Sequence, residues 1–105
     1  MTKPKKITNV FADLGLPDAD DLLARAELTR QIYTAIKDRG LSQKKAGEVL
    51  GLQQPDVSLL MRAKYTRFST DRLLKLLVKL GRNVEIVVRA PRSPKMCGKV
   101  TVIAA

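Results

Sequence analysis

The chain has 105 residues, the length of one domain, and 45% of them are apolar, which is enough to build a single hydrophobic core. It contains no histidine and one cysteine, Cys97, which excludes Cys/His zinc sites, a Ser-His-Asp triad and an intramolecular disulfide. Twenty Lys and Arg against ten Asp and Glu give a net charge of +10, so the composition favours nucleic acid as a partner.

The sequence offers no motif for membrane insertion, cofactor binding or catalysis. No apolar run approaches the roughly 18 residues of a membrane span, and no stretch of signal-peptide length follows the lysine-rich start. A Gly-rich phosphate loop is also missing. We therefore expect a cytoplasmic protein that is not an enzyme and has no cofactor, no metal and no membrane partner.

The first third of the chain separates its charges. Lys3, Lys5 and Lys6 form a basic arm, and terminal lysines of this kind are more often disordered than bound in a minor groove. Six acidic residues then lie between Asp13 and Asp38. They indicate either an acidic surface that receives a basic partner or carboxylates that suit the dipole of a helix start.

Two helices are predicted in the first half of the chain. The turn Gly15-Leu-Pro17 and an acidic start, followed by apolar residues at helical spacing, predict a helix over Asp18 to Arg39. Gly40 ends it in the left-handed conformation that glycine adopts most easily. Ser42 is a good N-cap for a second, short helix that ends at Gly51.

Two further helices are predicted before residue 82. Proline is favoured in the first turn of a helix, so Gln54-Pro55 begins the third helix, with Val57, Leu60 and Met61 on its apolar side. After a loop over residues 64–68, Ser69 or Thr70 caps a fourth helix that runs to Gly81.

The pattern changes after residue 81. The β-branched stretches 84–89 and 99–104 predict one or two strands in a C-terminal segment, residues 82–105. A lone hairpin is marginal in water, so we expect this β segment to serve in dimerisation. The predicted organisation is therefore a lead-in over 1–17, a helical domain over 18–81 and a strand or hairpin segment over 82–105.

The spacing within the second and third helices is typical of a helix-turn-helix motif, in which one helix lies in the major groove of DNA. Gln43 is followed by a small residue at Gly47, a turn glycine at Gly51 and an apolar residue at Val57. The small residue lets the helices cross closely, the turn glycine permits a positive φ, and Val57 packs the second helix against the first.

This segment resembles the Xre-type helix-turn-helix family of phage repressors and Cro proteins, in the run Gln43-Lys-Lys-Ala-Gly47-Glu-Val-Leu-Gly51-Leu-Gln-Gln54-Pro-Asp-Val57-Ser. Within that family it is similar to the HigA-type antitoxins, in Phe11-Ala-Asp-Leu-Gly-Leu16, Lys64-Tyr-Thr-Arg-Phe-Ser69 and Asn83-Val-Glu-Ile-Val-Val88. The resemblance spans residues 10–90 and implies a mainly α, four- to five-helix fold like that of the lambda repressor. Two positions differ from the common family residues: Gly47 stands where alanine is frequent, and Ala63 where glycine is frequent.

The resemblance also implies which residues meet DNA. The implied base-reading residues are Gln53, Gln54, Asp56, Ser58 and Arg62, and the implied phosphate contacts are Gln43, Lys44, Lys64, Tyr65 and Arg67. These residue types suit the roles, because glutamine can bond an adenine edge and arginine a guanine, whereas lysine neutralises phosphate without reading sequence.

The function implied by the resemblance is that of a dimeric repressor on a pseudo-palindromic operator, acting as the antitoxin of a small basic toxin that cleaves messenger RNA. The expected toxin-binding residues are Phe11, Asp13, Leu14, Leu16 and Asp18. The alternative is a stand-alone Xre-type transcription regulator without a toxin.

Overall fold

The computed structural model describes residues 17–95 and 97–104, with side chains from residue 21 onward. Within these ranges it has four α-helices, which we number α1 (Pro17–Asp38), α2 (Gln43–Leu50), α3 (Gln54–Met61) and α4 (Thr70–Lys79). A short 3-10 turn, Tyr65–Arg67, lies between α3 and α4. The four predicted helices are thus confirmed. The basic arm and Phe11, Asp13, Leu14 and Leu16 lie outside the described residues, as does the side chain of Asp18.

Local sequence signals set the helix ends. α1 begins at Pro17, one residue earlier than predicted, because proline suits the first helical position. The hydroxyl of Ser42 accepts a hydrogen bond from the backbone N–H of Lys45, and that of Ser69 accepts one from Arg72, each at 3.1 Å. Both predicted serine caps therefore begin a helix by satisfying an amide that has no partner inside it.

The hydrophobic core lies between α1 and α4 and is closed by α2 and α3. Its fully buried members are contributed by every helix and by the loop before α4, and include Ile32, Ile36, Leu50, Val57, Leu60, Phe68 and Leu73. The two long contacts that join α1 to α4 show that these helices run in the same direction. Arg25 donates to the carbonyl of Phe68 before α4, and Asp38 at the end of α1 accepts from Arg82 after α4.

The acidic side chains of α1 that the structure describes are engaged in ion pairs. Each described carboxylate of this helix contacts an arginine: Asp21 with Arg25 at 2.9 Å, Glu27 with Arg30 at 2.8 Å and Asp38 with Arg82 at 2.9 Å. Hydrogen bonds from Arg30 and Gln31 also lower the pKa of Glu27 below its ordinary value. The described part of α1 therefore presents much less unpaired negative charge than its sequence suggests.

The C-terminal segment differs from the sequence prediction. Residues 82–95 and 97–104 contain no strand, and among the described residues no backbone hydrogen bond joins stretch 84–89 to stretch 99–104. Both stretches are irregular and mostly exposed, and only Val102 packs against the core as a half-buried side chain. β-branched composition favours strands only where a partner strand completes the ladder, and none does so within one copy of the described chain.

The described helices do not suit a lipid bilayer. None of those within residues 17–95 and 97–104 combines the length and the apolar character needed to cross a membrane.

Candidate nucleic-acid interface

α2 and α3 cross at Gly47, where there is no room for a side chain. A Cβ at this position would lie 2.9 Å from the carbonyl oxygen of Leu52 and 3.3 Å from Cγ2 of Val57. The Gly47 carbonyl accepts the backbone N–H of Leu52 at 2.9 Å, and Gly51 turns the chain with a φ of 71°. An alanine, which is frequent at this position in the family, would place its Cβ too close to the Leu52 carbonyl, so the turn after α2 would have to shift.

α3 has one buried side and one polar side. Val57 and Leu60 are fully buried against the other helices, whereas Gln53 and Gln54 are exposed at the start of α3 and Ser58 is half-buried one turn later. Arg62 is exposed but follows the helix at its C-cap, about 12 Å along the axis from Gln54. Of the predicted base-reading set, Gln53 and Gln54 thus lie at the start of α3, and Ser58 lies one turn after Gln54 on the same side.

A hydrogen bond connects the first residues of the two helices. The Gln54 side-chain amide donates from Nε2 to Oε1 of Gln43 at 3.1 Å, and both side chains are exposed. The two residues lie eleven positions apart. They flank a shallow depression of about 300 Å³ that is lined mainly by polar side chains of α2 and α3. The bond therefore orders two amides at the surface where α3 begins.

Asp56 lies on a different side of α3 and is engaged by α4. Its Oδ2 is 3.6 Å from Nη2 of Arg72, and both side chains remain partly exposed. The Arg72 guanidinium also lies over the ring of Phe68, 5.1 Å from the ring centroid. The contact between Asp56 and Arg72 could not be predicted from neighbouring residues, because the two lie sixteen positions apart and meet only through the turn between α3 and α4.

The turn after α3 carries the predicted phosphate-binding side chains Lys64, Tyr65 and Arg67. Lys64 and Arg67 are exposed and Tyr65 is half-buried within the 3-10 turn. Ala63 begins the turn with a φ of 59°, which places an alanine in the left-handed conformation that favours glycine. The backbone N–H of Lys64 donates to the Leu59 carbonyl at 2.9 Å, which fixes this strained helix end.

The exposed charge around α2 and α3 is mainly positive. Lys44, Lys64, Arg62 and Arg67 are exposed, whereas the two carboxylates of this region are paired, Glu48 with Lys45 at 3.6 Å and Asp56 with Arg72. Such a surface attracts a polyanion, and its exposed amides can form hydrogen bonds that depend on base identity.

Comparison with known proteins agrees with this geometry. A family model described as a helix-turn-helix domain matches residues 10–89. A solved structure assigned to the XRE family of transcriptional regulators is 36% identical to this chain, with a TM-score of 0.77. The match covers 85% of this chain and 100% of that one. The chain belongs to the Xre-type helix-turn-helix family. No curated protein is similar to it in sequence at a significant level.

Both positions at which this Xre-family protein differs from the common family residues have a structural consequence. Gly47 permits the close helix crossing, and Ala63 occupies the left-handed position that glycine usually fills. The absence of a side chain at Gly47 lets the turn approach α2, and the left-handed Ala63 places strain directly before the cationic turn.

We expect Ala63→Gly to stabilise the protein by about 0.5–1 kcal/mol. The substitution relieves a left-handed alanine, which costs roughly 1–2 kcal/mol, and part of this gain is offset by the greater freedom of glycine in the unfolded chain. Chemical denaturation measures the free energy of unfolding. As a matched control, Ala26→Gly inside α1 should lose about 1 kcal/mol, and an equal loss in both variants would contradict the strain at Ala63.

Proposed function

We propose that this Xre-family protein is a transcriptional repressor that binds operator DNA with α3 in the major groove. The hydrogen bond between Gln43 and Gln54 is the observation that carries the proposal. A solvated surface gives two long exposed amides no reason to adopt a single arrangement, whereas a base-reading helix gains from having them ordered before DNA binds.

The bond leaves the groups that DNA recognition requires. Gln54 uses one amide proton on Gln43 and keeps its oxygen and second proton, which together match N6 and N7 of adenine. Gln43 keeps both amide protons, which can donate to a phosphate oxygen. Gln43 therefore anchors the motif to the DNA backbone and holds Gln54 in a base-reading orientation.

The remaining assignments follow position and charge. Gln53 precedes Gln54 at the start of α3, Ser58 lies one turn after Gln54, and Arg62 is the base-reading candidate at the far end of the helix. Phosphate contacts fall to Gln43 with the exposed or half-exposed side chains on either side of the motif, Lys44, Lys64, Tyr65 and Arg67. Base contacts select the DNA sequence, and phosphate contacts provide affinity that depends on the salt concentration.

We expect Gln54→Ala to lower the preference for the DNA upstream of the protein's own gene over a scrambled duplex by about tenfold. The slope of affinity against salt concentration should not change, because no charge is lost. Binding titrations at several salt concentrations measure both quantities. Gln31→Ala on α1 is the control and should alter neither. A wild-type protein that binds both duplexes equally would contradict base reading.

The proposed repressor is a dimer joined through its C-terminal segment, residues 82–105. The β-branched side chains of this segment are exposed in one copy, with Val88 at 90% and Ile103 at 79% exposure. An open groove of about 1190 Å³ lies between the segment's two irregular stretches and is bordered by Leu77 of α4. Monomeric proteins seldom leave so much apolar surface uncovered, and a strand from a second copy would provide the missing ladder.

We expect the double variant Ile86→Lys/Val88→Lys to be monomeric where the wild type is dimeric. Both side chains are exposed in one copy, so the charges should disrupt pairing with little effect on the folded domain. Sedimentation or light scattering gives the mass, and thermal unfolding checks the fold. Leu23→Lys, at another exposed apolar site on α1, should leave the dimer intact. A monomeric wild type at about 100 µM, where even a Kd of about 1 µM gives mostly dimer, would disprove the proposal.

We further propose that the protein is an antitoxin whose acidic N-terminal surface binds a small basic toxin. The support is the run of acids at the start of α1 together with the exposed Leu22 and Leu23, which provide charge and apolar area side by side. The stand-alone regulator is the second candidate. It is favoured by the ion pairs that already engage Asp21, Glu27 and Asp38.

The two candidates differ in one binding experiment with the product of a small basic reading frame next to this gene. For an antitoxin, combined replacement of Asp18, Asp20 and Asp21 by asparagine should weaken the complex about tenfold or more, because three charges that face a basic partner are lost. Calorimetry measures the affinity. Asp71→Asn on α4 is the exposed control and should have no effect. Unchanged affinity in the triple variant would contradict the acidic docking surface, whereas no complex with wild type favours the stand-alone regulator.

A further inference from the structure

Arg72 is a cation beside the first turn of α3 that the proposed interface does not yet use. Its guanidinium lies 3.6 Å from Asp56 and 5.1 Å from the centre of the Phe68 ring. Phe68 is buried, with 2% of its surface exposed, whereas the Arg72 side chain keeps 47% of its own. One face of the guanidinium therefore packs on the Phe68 ring, and the rest of it is exposed to solvent.

Asp56 is poorly placed to read a base beside Gln54. Helix geometry rotates it by about 200° from Gln54, which puts the two side chains on opposite flanks of α3. Its Oδ2 is directed at α4, and an isolated carboxylate at this position would repel DNA phosphates. The carboxylate is better placed to bind a cation than to accept a hydrogen bond from a base amino group.

We propose that Arg72 binds a phosphate of the operator backbone and that Asp56 is its positioning residue. This inference rests on the proposed DNA-binding function and adds a backbone contact from α4. Asp56 lies 3.6 Å from Nη2, which is longer than a hydrogen bond, and a guanidinium has five N–H donors in a planar fork that matches phosphate. Asp56 and Phe68 restrict the side chain from two sides, so less freedom is lost when the phosphate binds.

Arg72 continues the line of cations already proposed for the backbone. The turn that carries Lys64 and Arg67 leads directly into α4, in which Arg72 occupies the first turn after the Ser69 cap. The next lysine of α4, Lys75, lies one turn further on, is 73% exposed and pairs with Asp71 at 3.3 Å. The two residues carry the same charge on the same helix, but only Arg72 is held beside α3.

The test compares Arg72→Gln with Lys75→Gln, each of which removes one positive charge from α4. Affinities for the upstream DNA and for a scrambled duplex are measured at several salt concentrations. We expect Arg72→Gln to weaken binding to both duplexes by about tenfold and to lower the salt slope by about one. Lys75→Gln should weaken binding less than threefold and leave the slope unchanged. Equal slopes in the two variants would show that only net charge matters and would overturn the assignment.

The role of Asp56 is tested in a cycle with Asp56→Asn. If Asp56 positions Arg72, the effect of Arg72→Gln should shrink at least threefold in the Asp56→Asn background, and no operator base pair should change in preference. A preference that changes at one base pair in Asp56→Asn would make Asp56 a base reader and overturn the proposal. Arg72→Lys separates charge from geometry, and should restore the salt slope but only part of the affinity.

A failure of the Arg72 assignment and a failure of the proposed function give different results. Thermal unfolding of each variant confirms that the protein titrated is folded, since Arg72 also covers Phe68. The proposed function depends on whether wild type prefers its upstream DNA over the scrambled duplex. The Arg72 assignment depends on the salt slopes, which are measured on both duplexes and do not require that preference.

Discussion

The close approach of α2 and α3 at Gly47 is the constraint on which the rest of the interface depends. With only a hydrogen atom at this position, the turn carbonyl of Leu52 and the methyl groups of Val57 reach the backbone of α2. That approach fixes the angle and the separation of the two helices. It also brings the first residues of both helices within hydrogen-bond distance. The hydrogen bond between Gln43 and Gln54 therefore depends on the absence of a side chain at Gly47.

Much of the domain could be predicted from the sequence because its signals are local. Serine caps at Ser42 and Ser69, the proline at the start of α3 and the glycines after α1 and α2 each act within a few residues of where they stand. The apolar spacing of the helices then allows one arrangement of the core. For the same reason the helix-turn-helix motif could be recognised from its spacing, and with it the exposed Gln53 and Gln54.

The features that sequence reasoning missed are those that require distant partners. The resemblance implies that Asp56 reads a base, but no residue near it in sequence indicates its contact with Arg72, which forms only because the chain returns in α4. The strands predicted over residues 84–89 and 99–104 are not confirmed for a related reason, since β-branched residues favour a strand but do not determine which strand pairs with it. Where the partner is remote in the chain, composition indicates which structure a segment favours but does not indicate which residue it contacts.

Arg82 attaches the start of the C-terminal segment to the helical domain by two contacts. Its backbone N–H donates to Leu77, and its guanidinium contacts Asp38, so the segment leaves the domain from a point shared by the ends of α1 and α4. In a dimer built through this segment, both copies would leave their domains at this point. One base pair inserted at the operator centre turns the second half-site by about 35°, so the chain that follows Arg82 would decide how far such a dimer can follow that rotation.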